Sequence, residues 1–226
     1  MSLLENPYWL YPVASAITPV VVQSTGLQTM SGAASNLTFT LSNVTAGNSL
    51  IIVVGSYTSG ATAPITYPAG WSQFSAFTSD GTHQQSCIYT IKNEVAGQNS
   101  ATLSGNGYFA GAMLEVAHIT GLSTSGSAVA AAAATSISVS TAASTVGQNS
   151  LIICGLGYSD NTTGTLSATA PAGLVLDYSE TDASSIEPSI SGHLIQTSAG
   201  VETLTWSSLT DNTNGVVAII AAFTAG

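Results

Sequence analysis

One pattern in this chain occurs twice, and it limits the possible folds more than any other feature. Asn48-Ser49-Leu50-Ile51-Ile52 recurs as Asn149-Ser150-Leu151-Ile152-Ile153. Pro68-Ala69-Gly70-Trp71 recurs as Pro171-Ala172-Gly173-Leu174, and the stretch Ala96–Ser104 as Ala199–Ser207. Leu37-Thr38-Phe39-Thr40-Leu41 is echoed by Ile137-Ser138-Val139-Ser140, and each half closes on an Ala-rich apolar run, Ala110–Ala117 and Val216–Phe223. The offset drifts from 100 residues between Leu37 and Ile137 to 106 between Ala110 and Val216, so small insertions fall between the matched segments. The expectation is an internal duplication of about 100 residues.

Each matched segment reads as a strand. Leu37-Thr38-Phe39-Thr40-Leu41 alternates apolar and polar side chains with period two, as a half-buried strand must. Leu50–Val54 and Leu151–Cys154 are continuous apolar runs, the mark of strands buried on both faces. Turn residues such as Thr45-Ala46-Gly47-Asn48, Asp80-Gly81 and Asp160-Asn161 separate them. No segment carries a helical period, and the alanine run 128–134 is too short to nucleate a helix alone. The reading is therefore an all-β chain, an antiparallel β-sandwich of jelly-roll-like type with about seven strands per half.

Residues 20–121 form the first repeat and 122–226 the second. They are expected either as two tandem sandwiches or as one sandwich with intercalated strands. Leu122–Gly126, the one candidate linker, is short and uncharged, which favours a single sandwich or two closely packed halves. Residues 1–19 precede the repeats and read as an extended arm. Tyr8, Trp9, Leu10 and Tyr11 lie between Pro7 and Pro12, which fix φ and lower the entropy lost on docking. Tyr and Trp dominate interface energetics, so these four residues are the candidate partner-binding segment, as a surface strap or an arm inserted into a neighbouring subunit.

Charge narrows the function. Of 226 residues one is Lys or Arg, namely Lys92, against eleven Asp and Glu. Nucleic-acid binding requires several cations to displace counterions from phosphates, and docking to anionic lipid requires the same, so neither partner is expected. No apolar run approaches the ~20 residues of a spanning helix, and the first residues lack the basic n-region of a secretory signal. Synthesis in a host cytoplasm is expected. Cys87 and Cys154 sit in apolar runs and read as buried free thiols, with a disulfide as the alternative.

Catalytic patterns are missing. There is no Gly-x-Ser-x-Gly elbow and no phosphate loop, and His83, His118 and His193 stand apart as structural histidines. Asp177, Glu180, Asp182 and Glu187 form the densest acid patch, with the first three as calcium candidates, although the spacing matches no EF-hand loop. No cofactor is expected and the chain reads as non-enzymatic. Trp71, Tyr89, Tyr108, Tyr158 and Tyr178 are the aromatics that a glycan-binding surface would draw on.

The segments Thr45–Val53, Pro68–Trp71, Tyr89–Asn93 with Ala96-Gly97 and Ser100–Leu103, and Ala112–Val116 together resemble a known type. It is the duplicated β-sandwich protein of phages, prophages and bacteria, including virion decoration and fibre-associated components. The likeness spans roughly residues 36–226. It implies a virion structural protein on the particle exterior, most simply a phage capsid decoration or cement protein. Its partners would be further copies of itself, with a trimer possible, and the major capsid protein or another virion protein. The alternative is a glycan- or receptor-binding module of a phage tail, fibre or cell surface.

Overall fold

In the computed structural model, the described residues are 17–30, 35–57, 66, 69–78, 84–92, 97–105, 107–130, 133–142, 149–158, 167–181, 189–210 and 215–226. They form fifteen strands. The first half holds β1 (Val20–Ser24), β2 (Gln28–Met30), β3 (Ser35–Thr40), β4 (Ser49–Tyr57), β5 (Ser72–Thr78), β6 (Gln84–Lys92), β7 (Ser100–Gly105) and β8 (Tyr108–Ala117). The second holds β9 (Ile119–Ala130), β10 (Ser136–Ser140), β11 (Leu151–Tyr158), β12 (Val175–Glu180), β13 (Ser189–Ile195), β14 (Thr203–Ser207) and β15 (Val216–Ala225). Every ladder is antiparallel. The all-β, sandwich-like expectation is met.

The strands stack in four layers. One large sheet runs β1-β8-β4-β6-β5, with β2 also on β8, and the other runs β12-β13-β11-β15-β9. The ribbon β3-β7 covers the outer face of the first and β10-β14 that of the second. Three cores result. Phe39, Leu50, Ile52, Val54 and Tyr89 fill the first half's own core, and Ile152, Cys154, Leu156 and Trp206 fill the second's. Ile51, Val53, Leu114, Ile153, Ile219 and Phe223 fill a third, between the large sheets. This explains the continuous apolar runs: successive residues of β4 and β11 point into different cores, and both are dry. The ribbons face water on one side and so keep the clean alternation.

The halves stack without exchanging strands. The order β5-β6-β4-β8-β1 corresponds, element for element, to β12-β13-β11-β15-β9. The stacking is reciprocal, as in an isologous dimer: β4 lies on β11, β6 on β15 and β8 on β13. Leu122–Gly126 is not a linker. It lies inside β9, where Leu122 pairs with Phe223 and Gly126 with Ile220. Gly126 is required there, because a Cβ would collide with the Ser140 carbonyl oxygen where β10 crosses.

The repeated Asn-Ser-Leu-Ile-Ile segment hides a one-residue slip. Leu50 and Ile52 face the first half's own core, whereas Leu151 and Ile153 face the third core. The residue that occupies the place of Leu50 is Ile152: Leu50 pairs with Ile91 and Glu115, Ile152 with Leu194 and Ala222. The left-handed turn residue before the strand shifts in step, Gly47 at φ 85° and Asn149 at φ 63°. In most sheets such a slip would invert core and solvent faces. Here both faces are buried, so the slip costs little.

Candidate functional site

The outer ribbons present hydroxyls to solvent. Thr38 and Thr102 share a hydrogen bond at 2.9 Å, and the Ser104 hydroxyl donates to Asn36 Oδ1 at 2.7 Å. On the opposite pole Ser138 meets Thr205 and Ser140 meets Thr203, both at 2.8 Å. These poles are hydroxyl ladders.

The lateral flank at β1 and β12 is different. Tyr178, on β12, reaches Ala110 of β8, so β12 lies over β8, next to β1, and the two edge strands share one side of the stack. Of the eight large hydrophobic residues exposed among the described residues, five belong here: Ile17, Val20, Val22, Val175 and Leu176, each 48–58 % exposed. Bulges lie between Val21 and Gln23 and between Leu176 and Tyr178, and the other edge strands, β5 and β9, are bulged as well. Bulges blunt edge-to-edge pairing, so this flank offers side chains rather than a flat template for another strand. The arm enters here, since Ile17-Thr18-Pro19 leads directly into β1. Tyr8, Trp9, Leu10 and Tyr11 lie outside the described residues.

Of the acid patch, Asp177 and Glu180 fall among the described residues. Asp177 occupies the β12 bulge and its Oδ1 sits 2.7 Å from Nδ1 of His193 on β13, with side chains 4 % and 19 % exposed. Glu180 lies at the far end of β12, opposite Ser189, and Asp182 and Glu187 fall outside the described residues. Among the described residues no three His, Cys, Asp or Glu side chains come together. The glycan-surface aromatics are largely core: Trp71, Tyr89 and Tyr178 are buried, while Tyr108 is exposed. The side chain of Tyr158 and all of His83 lie outside the described residues, and His118 is exposed at a left-handed turn between β8 and β9. Cys87 and Cys154 are free thiols in separate cores. Burial pushes each up to about 12, against smaller opposing hydrogen bonds with Tyr89 and Trp206 respectively, which leaves them unreactive in the folded chain.

The most constrained ionisable group lies beneath the same flank and was not singled out from sequence. Glu115 is buried on β8. Its Oε1 accepts from the Thr45 backbone N–H at 2.9 Å and from Asn48 Nδ2 at 2.6 Å, and its Oε2 accepts from Gln23 Nε2 at 2.6 Å. Gln23 also donates to the Ser42 carbonyl at 2.7 Å, so the carboxylate ties β1 and the turn after β3 to β8. The visible cue is a lone acid inside an apolar strand. Burial raises its pKa, but the bonds from Gln23, Thr45 and Asn48 together outweigh that and hold it below the usual carboxylate value. A lowered folded pKa gives stability that is fully present above the unfolded value near 4.5 and is lost as pH falls through the folded one. Glu115→Gln is expected to cost about 1.5–3 kcal/mol at pH 7. That difference from the parent should shrink in urea melts below pH 4; a pH-independent difference would show that the charge is not what holds β1.

No protein-family model, curated protein or solved structure matches the chain.

Proposed function

We propose that this chain is a non-enzymatic virion structural protein, a phage capsid decoration or cement protein held on the outer head surface by protein–protein contacts. The observation that carries the reading is the apolar flank of β1 and β12 at the root of an aromatic arm, on a body whose poles are hydroxyl ladders. A concentration of exposed apolar side chains on an otherwise polar protein marks an interaction site. The poverty of Lys and Arg supports the same reading, since it leaves nothing with which to grip nucleic acid. The four-layer stack, buried on both faces of both large sheets, suits a part that must endure outside a cell.

The test is quantitative mass spectrometry of purified particles. The chain should be present at hundreds of copies per particle. Deleting residues 1–15 should release it from heads while the body keeps its β-sheet circular dichroism spectrum. Absence from particles, or unchanged head occupancy after the deletion, would overturn the reading.

A further inference from the structure

We infer that Glu115 is an acid-sensitive latch on β1: protonation of its carboxyl frees β1 from β8 as a unit, while the rest of the four-layer body stays folded. This goes beyond the proposed function and does not depend on it.

The second half supplies the comparison. Gln23 of β1 pairs with Glu115, and Thr124 of β9 pairs with Ala222. The bulge falls at the same place in both edge strands, after Val21 and after Leu122. Since Ile152 stands where Leu50 does, Ala222 stands where Glu115 does. In both halves the edge strand donates to the chain leaving the outer ribbon, Gln23 to the Ser42 carbonyl at 2.7 Å and Thr124 to that of Ala142 at 3.4 Å. The carboxylate is the part that only the first half has. β9 holds without one: it has twelve residues, follows β8 through the His118 turn, and packs Ile119, Leu122, Ala128 and Ala130 against the cores. β1 has five residues, of which only Val21 packs against a core. Its hold therefore rests on the ladder to β8 and on the bond from Gln23 to Glu115.

Chemistry makes that bond sensitive to acid. Three N–H donors converge on Glu115, from Gln23, Thr45 and Asn48. A carboxylate accepts from all three, whereas a protonated carboxyl carries a donor of its own and opposes them. Among the described residues, the elements around it bring Gln23, Ser42, Thr45, Asn48 and Leu50, none of them charged. Lys92, at the end of β6, and His118, beyond β8, are both exposed. Burial raises the Glu115 pKa, but the three bonds outweigh it and hold it below the usual value. The latch is therefore closed above the unfolded value near 4.5 and opens as pH falls through the folded one. The body does not share this response. With one Lys or Arg and three His, the fully protonated chain carries too little charge to force itself apart. Asp177 is held by His193, but that pair ties β12 to β13. Acid thus opens one edge strand, a local step below global unfolding, and uncovers the β8 edge from Leu114 to Ala117.

Hydrogen exchange read by mass spectrometry on the full chain tests this, with rates corrected for the pH dependence of an unprotected amide. Between pH 7 and about pH 2, protection of residues 20–24 should fall at least about ten-fold, the equivalent of one hydrogen bond to a charged group. Residues 121–125 of β9 and 151–157 of β11 should keep theirs. Glu115→Gln should show weak protection of residues 20–24 already at pH 7, with no further loss in acid. If that variant does not fold, Gln23→Leu serves in its place, with the same loss at pH 7. An equal loss in β1 and β9, a loss across the whole chain at once, or an acid response retained in Glu115→Gln would overturn the inference. So would full protection of residues 20–24 throughout the titration.

Discussion

Replacing Trp206 by alanine is expected to lower the stability of the fold by about 3–5 kcal/mol, read as a shift of the guanidinium midpoint at unchanged slope. Trp206 is fully buried and is the largest side chain of the second half's core. It stands on β14 opposite Ile137 of β10, and its Nε1 donates to Cys154 Sγ on β11 at 3.2 Å, so it fastens the outer ribbon to the large sheet. The two cores distribute volume differently at matching places. In the first, Phe39 faces Ala101 and Leu37 faces Leu103. In the second, Val139 faces Leu204 and Ile137 faces Trp206. The bulkiest side chain sits at a different corner in each core, Phe39 in the first where the second has Val139, and Trp206 in the second where the first has Leu103. Trp206→Leu copies the residue found at Leu103 but without Phe39 to fill the space, so it should fall between parent and alanine. A loss under about 1 kcal/mol for alanine would mean that the ribbon is not seated on the sheet as described.

The residue patterns made some of this architecture legible and hid the rest for a physical reason. Strict alternation in Leu37–Leu41 and Ile137–Ser140 identified strands with one wet face, and these are the outer ribbons. The continuous runs at Leu50 and Leu151 pointed to strands buried on both faces, which the four layers supply. What lies across a buried strand is not written in its own residues. An intercalated sheet and a stacked pair need the same apolar run, and so the stacking of whole halves could not be read. The same double burial lets Leu50 and Leu151 match in sequence while facing opposite sides. Site residues fared according to sequence distance. The arm was conspicuous because its aromatics are adjacent. Asp177 looked like part of an acid cluster because its true partner, His193, arrives only when β12 pairs with β13. Glu115 meets Gln23 and Thr45 only through tertiary folding, so its place as a lone acid in an apolar strand is the one cue along the chain and its partners are not.

Stacking of the halves implies that neither melts alone, and Val53→Asp should show it with the largest single effect in the molecule. Val53 is buried in the core between the large sheets, its side chain against Gly155 and beside Ile88 and Ala112, its partners on β6 and β8. The residues grouped around it in that core supply no cation. A carboxylate placed there must ionise without a partner or remain protonated, and either costs several kcal/mol. A loss of about 4 kcal/mol or more is a large share of the roughly 5–15 kcal/mol that a folded domain has in total. The loss should be felt equally in both halves. Ile51, Val53, Ile88, Leu114 and Val116 on one side and Leu151, Ile153, Ile219 and Phe223 on the other would each be bared by separation, at about 1.5–3 kcal/mol for a fully exposed side chain of this size. Against such a sum an isolated half has little to set. Fluorotryptophan labelling gives each half its own reporter, since Trp71 lies in the first core and Trp206 in the second. In both parent and Val53→Asp the fluorine signals of Trp71 and Trp206 should lose their native shifts at the same denaturant concentration, with the variant's common midpoint far lower. Two separated midpoints in the parent would show that the halves are independent domains in mere contact, and the third core would then be an interface rather than part of one cooperative fold.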